Sequence, residues 1–386
     1  MSGDGRKVEI DALQSVFTTL FVERVIVTLK MSTQKRTKIY ILGAGCSAGN
    51  GYPTAENFVK ELEDFGRGLG ENATRIKKCV ESTVELMRRH MIATVDDLAA
   101  RVHSGCFIDS AAANSSLAAS QMRDRQIKEA KIATAAMLLA KEKAAKETGL
   151  KNYHDFALHL FPGGSSWERR FLNADSHILT FNYDRLFELA IMDRAEPNLV
   201  ERFPLYGEGF LNSGLNFDAE EISFNDNRFC FLKLHGSAGI SVRNSKMGIG
   251  YPHIGDRNLD AGKINDRLFF SDPEERGVVD PWPLLVFPVE KHHVQSGGRH
   301  IYYEQYLQNV WKKAETLISM ASEIFIIGYS FQAIDRNSLV HLLGKAENCE
   351  RGVIQNLPGE AEKICEMLKV MHPEIQIPWI PYSAKF

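Results

Sequence analysis

A short apolar run, Ile39-Tyr40-Ile41-Leu42, breaks into Gly43, Ala44 and Gly45; glycines return at Gly49 and Gly51, and helix-compatible sequence follows Pro53. A strand that ends in clustered glycines and leads into a helix is how an α/β protein brings backbone close to a phosphate. Glycine permits the tight turn, removes Cβ atoms that would block an anion, and leaves N–H groups near a helix N-terminus. The stretch Lys38–Pro53 supports two other readings. It can be a plain tight turn, and Gly45–Gly49 reads G-C-S-A-G, which fits the G-x-S-x-G elbow of a serine hydrolase with Ser47 as nucleophile. The rest of the chain decides among them.

The 386 residues suffice for one large domain with insertions or for two to three smaller ones. A net charge of −3 gives no electrostatic case for a nucleic-acid or membrane-surface binder. Six scattered cysteines contain no C-x-x-C pair, which argues against a cysteine zinc site and a disulfide framework and suits a reducing, cytoplasmic setting. His292, His293 and His300 lack an acidic or cysteine partner at ligand spacing, so no metal is expected. The apolar patch at 15–30 is interrupted and flanked by Glu23, Arg24 and Lys30, too charged to span a bilayer.

Along the chain, residues 1–37 read as an N-terminal extension, with an amphipathic segment from Ile10 to Leu29. It is an extra packed element, or sequence upstream of a proper start at Met31. A domain over 38–386 comes next. Lys38–Leu42 is its first strand, and about 55–160 is a helical insertion ahead of the second, His177–Phe181. Within it, residues 111–149 are alanine-rich, with a turn at Asn114–Ser116, and predict a long helix that is exposed or faces a partner. Further strands are expected at Phe229–Leu234, Leu284–Phe287, Glu323–Ile327 and Gly352–Gln355. Helices are expected at Tyr302–Ala321, at Arg336–Leu343 capped by Asp335, and at Glu360–Met371. Residues 238–283 read as a second, irregular insertion. Strands alternating with helices predict a Rossmann-like, doubly wound, mostly parallel sheet.

Four strands stop in polar or glycine residues: Gly43-Ala44-Gly45, Asn182-Tyr183-Asp184, His235-Gly236-Ser237 and Gly328-Tyr329-Ser330. In an open parallel sheet, ligands sit at the carboxyl ends of the strands. These segments resemble the sirtuins, and more closely the divergent sirtuin-like domains, many of which are bacterial NAD hydrolases. GAGCSAGNGYP keeps the sirtuin spacing at Gly43, Ala44, Gly45, Ser47, Gly51 and Pro53. TFNYD (Thr180–Asp184) is similar to T-x-N-x-D, and LHGS (Leu234–Ser237) to the segment with the catalytic histidine. FIIGYSF (Phe325–Phe331) with Asp335 is similar to the I-G-x-S segment. VIQNLP (Val353–Pro358) resembles the strand whose terminal Asn receives the adenine ribose. Even LLVFPVEK (Leu284–Lys291), with a long helix after it, fits the sirtuin-like branch. The matches run in order over roughly residues 38–370.

Two departures accompany the resemblance. Thr54, Ala55, Glu56 and Asn57 stand where classical sirtuins carry a Phe-Arg pair, with Phe58 displaced, and the four zinc cysteines are missing. Both tilt the reading away from protein deacylation. The resemblance implies NAD as substrate, with Asn182 and His235 catalytic. It implies Gly43, Ala44, Gly45 and Ser47 at the diphosphate, Asp184 at the nicotinamide carboxamide, Gly328 and Ser330 near phosphate or ribose, and Asn356 at the adenosine.

The chemistry agrees with these residue types. Cleaving NAD at its nicotinamide bond releases a neutral pyridine from a cation, so no general acid is required. An oxocarbenium-like sugar must be stabilised and water presented to it. Asn182 can hold water or ribose hydroxyls, and His235 can accept a proton, as imidazoles do near neutral pH. The expected function is NAD hydrolysis of the kind bacteria use for abortive antiviral defence, through an oligomer or an activating protein partner, with no nucleic acid or membrane involved. The helix at 117–147 and the N-terminal 37 residues are the expected contacts for that partner. The alternatives are an NAD-dependent deacylase and a non-catalytic module that senses NAD or ADP-ribose.

Overall fold

The computed structural model describes residues 36–54, 56–105, 116–148, 150–161, 174–194, 228–243, 246–249, 264–270, 282–287, 301–331 and 333–384. The chain divides into two compact units, Met1–Arg36 and Thr37–Phe386, and all the described strands and helices belong to the second. The expectations for residues 1–35, and those for His292, His293 and His300, lie outside the described residues.

Thr37–Leu42 (β1) leads into a one-turn helix, Gly45–Ala48 (α1), and then into Phe58–Arg67 (α2), Thr74–Arg89 (α3) and Val95–His103 (α4). The 33-residue Ser116–Thr148 (α5) and Lys151–Leu160 (α6) precede the return to the sheet as Ser176–Thr180 (β2). Leu186–Arg194 (α7), Phe231–Lys233 (β3), Gly236–Arg243 (β4), Lys246–Ile249 (β5) and Trp282–Leu285 (β6) come next. The chain continues as Ile301–Ser319 (α8), Ala321–Ile327 (β7), Ala333–Leu343 (α9), Arg351–Asn356 (β8), Glu360–Met371 (α10) and Trp379–Ser383 (β9).

Six of these strands form one parallel sheet in the order β3-β2-β1-β7-β8-β9. A parallel sheet needs cover on both faces, and Ile39, Ile41, Ile178, Leu179, Ile324 and Ile326 are accordingly buried. Tyr40 pairs in register with Phe325 and the two rings stack at 4.9 Å. The chain winds outward from β1 through β2 and β3, then restarts at β7 and winds the other way through β8 and β9. This is the Rossmann-like, doubly wound arrangement, and its reversal point lies between the carboxyl ends of β1 and β7.

Several elements depart from the sequence reading. Among the described residues, the segment Trp282–Leu285 is not a strand of the main sheet; it pairs antiparallel with β4 in a small sheet ordered β5-β4-β6. That sheet also gives order to part of 238–283, which the sequence marks as irregular. The edge strand β9 escapes the sequence reading because Pro378 and Pro381 punctuate it; proline is tolerated there because an edge strand can leave an N–H position unpaired. Asp335 lies inside the first turn of α9 and does not precede it.

The alanine-rich helix α5 is the largest correction. Its composition predicts a surface position, yet Ile127, Ala130, Ile132, Ala133, Ala135, Ala136, Met137 and Leu139 are buried. It packs mainly on α3, with further contacts to α4, α2 and the small sheet. Small side chains let neighbouring helices approach closely, so a run poor in large apolar residues is here a core element. Leu117, near its start, is exposed.

Candidate functional site

The site begins where two glycine turns meet. The Gly43 N–H donates to Ile327 O at 2.9 Å, and the Gly45 N–H to Gly328 O at 2.8 Å. A Cβ on Gly43 would come within 2.6 Å of the Tyr329 Cα, and one on Gly45 within 2.8 Å of Gly328 O. Only glycine lets the ends of β1 and β7 touch backbone to backbone. The Cys46 and Ser47 N–H groups bond back to Gly43 O and Ala44 O, so these amides close the turn itself. Gly328 N–H in turn donates to Gln355 O, which ties the end of β8 to the same knot. Asn356 donates from Nδ2 to Tyr329 O at 3.1 Å and braces it from the other side.

Ser47 is the centre of a buried network. Its Oγ donates to Asp184 Oδ2 at 2.7 Å, lies 2.8 Å from the Tyr153 hydroxyl, and accepts from Asn182 Nδ2 at 3.2 Å. Asn182 Nδ2 also donates to Gly43 O at 3.0 Å, and its N–H to Thr180 Oγ1 at 3.0 Å. The amide is thereby locked onto the turn after β1. Asp184 Oδ1 accepts the Leu186 N–H at 3.0 Å, which sets the entry to α7. Burial raises the Asp184 pKa above the ordinary carboxylate value, against the opposing pull of Lys233 and of the Ser47 and Leu186 donors. Burial likewise pushes the Tyr153 phenol well above its ordinary value, and the Asp184 carboxylate adds to that shift.

Two buried ion pairs hold the floor. Arg185 donates from Nε and Nη2 to Glu142 on α5 at 2.7 and 2.5 Å. Lys233 donates to Asp184 O and, at 3.0 Å, to Glu188 Oε1. All four side chains are nearly inaccessible, so each charge depends on its partner.

His235 sits at the corner where the chain leaves the parallel sheet at β3 and enters the small sheet at β4. Its carbonyl accepts the Val286 N–H at 2.9 Å, and its ring packs edge-on against Phe181 at 5.0 Å. Gly236 makes the corner possible. Its φ is +76°, and a Cβ there would fall 1.9 Å from Leu284 O.

A cavity of about 160 Å³ opens beside this framework. The sheet contributes Ala44, Ser47, Phe181, Asn182, Tyr183, Asp184, His235, Tyr329 and Ser330 to its wall. Six expected site residues, Ala44, Ser47, Asn182, Asp184, His235 and Ser330, therefore share one cavity. Gly43, Gly45, Gly328 and Asn356 do not line it; they hold the strand ends together behind it. Ser330 is exposed, whereas Asn182 and His235 are buried. Just beyond it, Phe331 adopts φ +52°, strained for an aromatic residue, and its carbonyl accepts both Nε and Nη2 of Arg336.

The insertion supplies the other wall: Tyr52, Pro53, Thr54, Phe58, Thr94, Val95, Asp96, Thr134 and Leu138. Phe58, displaced in sequence from the Phe-Arg position, reaches the cavity from the first turn of α2. Tyr153, Asp96 and Thr134 are absent from the motif reading. Nothing in their local sequence marks them: Tyr153 meets Ser47 and Asp96 meets Tyr183 across long sequence separations, and Thr134 reaches the wall from the middle of α5. Among the described residues no group of three or more His, Cys, Asp or Glu side chains could hold a metal ion, and no helix is long and apolar enough to cross a membrane.

In comparisons with known proteins, no family model matches the chain and no curated sequence matches it. Similar solved structures include a mutant Sir2 homologue in complex with ADP-ribose. It is 12% identical, with 89% of this chain and 85% of that chain covered and a TM-score of 0.36. Another is Sir2Tm bound to a propionylated peptide, 14% identical, with 93% and 92% covered and a TM-score of 0.31. At that level of identity and superposition, the likeness carries nothing about the reaction.

Proposed function

We propose that this chain is a sirtuin-like NAD-binding enzyme that hydrolyses NAD at the nicotinamide–ribose bond, giving nicotinamide and ADP-ribose. The observation that supports it best is the meeting of Asn182 and His235, from the ends of neighbouring strands, in one cavity beside the turn after β1. An amide and an imidazole suit a reaction that needs no proton for its leaving group. In this reading the side chain of Asn182, held by Gly43 O and Ser47 Oγ, positions a ribose hydroxyl or the attacking water. His235 accepts the proton that water or hydroxyl gives up.

A volume of about 160 Å³ is below the roughly 300–1,000 Å³ of pockets that enclose a drug-sized ligand. It suits the nicotinamide end of NAD, with the rest of the dinucleotide leaving past exposed Ser330 along the reversal point of the sheet. Asp184 and Ser47 serve as the frame that orients Asn182. A role in bacterial antiviral defence, through depletion of NAD, is drawn from the resemblance of the motifs, as is restraint by a partner or by self-association. The buried centre of α5 directs the search for such contacts to its exposed start and to Met1–Arg36.

The test is nicotinamide release from NAD by purified protein, without acylated peptide, compared between wild type and Asn182→Ala. Release that depends on Asn182 supports hydrolysis. Consumption of acyl peptides with no free hydrolysis points to a deacylase, and tight NAD binding with no turnover in either form points to a sensor.

A further inference from the structure

The helical insertion brings to the cavity polar groups that the strand-end motifs do not include. Thr134, in the middle of α5, is 1% exposed and forms part of the cavity wall. Its Oγ1 has no hydrogen-bond partner among the described residues. A buried threonine on a helix ordinarily turns its hydroxyl back to the carbonyl one turn earlier, as Thr83 does to Cys79 O at 2.7 Å. A buried hydroxyl that forgoes this bond costs the fold stability and calls for an explanation, which a bound ligand supplies.

Asp96, in the first turn of α4, lines the same cavity and accepts the Tyr183 hydroxyl at 3.2 Å. The same cavity is also lined by the aromatic side chains of Phe58, Phe181 and Tyr329. The space holds about one ring. A hydroxyl can donate to a carbonyl oxygen, whereas an ionised carboxylate can only accept. Together with flat apolar walls they complement a planar ring that bears a neutral primary amide, its carbonyl toward Thr134 and its N–H toward Asp96. A ring bearing a carboxylate instead would meet Asp96 with like charge.

We propose that Thr134 and Asp96 form an amide-recognition subsite that binds the carboxamide of the substrate's pyridine ring and rejects the corresponding acid. The proposal rests on the NAD reading above, but its test needs no turnover. The full chain is titrated calorimetrically with nicotinamide and with nicotinic acid. Wild type is expected to bind nicotinamide at least about tenfold more tightly, the worth of one good hydrogen bond. Thr134→Val is expected to lose about that factor for nicotinamide while its melting temperature is unchanged or higher, because it removes an unpaired buried hydroxyl. Asp96→Asn is expected to narrow the preference by admitting nicotinic acid. Equal binding of the two compounds by wild type, no binding of nicotinamide, or a Thr134→Val variant with unchanged affinity overturns the subsite. NAD cleavage that persists unaltered in Thr134→Val removes the subsite and leaves the hydrolase. Discrimination lost in Thr134→Val, in a protein that does not cleave NAD, keeps the subsite and removes the hydrolase.

Discussion

Ser47 Oγ donates to Asp184 Oδ2 across 2.7 Å, joining the turn after β1 to the end of β2, 137 residues further along the chain. Within the same network its oxygen also meets Tyr153 and Asn182, so among the described residues no histidine is its hydrogen-bond partner, as a serine nucleophile would need. Ser47→Ala is expected to lower stability by about 1–3 kcal/mol, the cost of leaving buried partners unsatisfied, and to lower turnover because Asn182 loses an anchor. Urea unfolding beside an NAD assay checks both, and unchanged values in each would show that the network is incidental.

The burial of Asp184 carries a pH signature. Its pKa is raised in the folded protein, so the native state binds this proton more tightly than the unfolded chain. Stability contributed by the group is therefore greatest below its ordinary value of 3.8 and declines as pH rises through the higher native value. Asp184→Asn removes that slope. Unfolding free energies of wild type and variant, measured from low pH upward, should diverge in the variant's favour as pH rises; parallel curves would contradict the assignment.

Arg185 and Glu142 clamp the end of β2 to the insertion, and both are buried. Removing one partner strands a charge, so Glu142→Ala is expected to cost about 3–5 kcal/mol. Arg185→Met combined with Glu142→Leu should recover much of that loss, since a well-packed apolar pair can replace a buried ion pair. Chemical denaturation of the two variants decides it, and a double variant no more stable than the single one would count against the clamp.

Gly236 controls where His235 stands. Substitution by alanine must relieve both a positive φ and a 1.9 Å approach to Leu284 O, so the corner shifts. Gly236→Ala is expected to lower turnover at least about a hundredfold, as for a catalytic group displaced by about 1 Å, while binding of ADP-ribose weakens much less. A variant with wild-type turnover would mean that the corner does not position the histidine.

The sheet, its winding and most of the cavity's sheet-side wall were legible because each strand is a short apolar run that stops in a polar or glycine residue. The alternation of strand and helix carried the topology. The roles of Gly43, Gly45 and Gly328 were only partly legible. Clustered glycines mark a close backbone approach, but local sequence does not say whether a ligand or another strand approaches, and here the ends of β1 and β7 meet. The insertion was the least legible part. Alanine in α5 scores as a thin surface, and only the packed helices reveal it as core that carries Thr134 and Glu142 to the site. Strand β9 was hidden by prolines that an edge position tolerates.

In the proposed reaction Asn182 and His235 cleave NAD in the cavity beside the turn after β1. The most direct measurement is nicotinamide release from NAD by wild type against His235→Ala, at matched concentration and with folding checked by circular dichroism. Loss of a positioned general base is expected to slow release by about 10²–10⁴-fold while NAD still binds. Release by a folded His235→Ala variant at the wild-type rate would contradict the account.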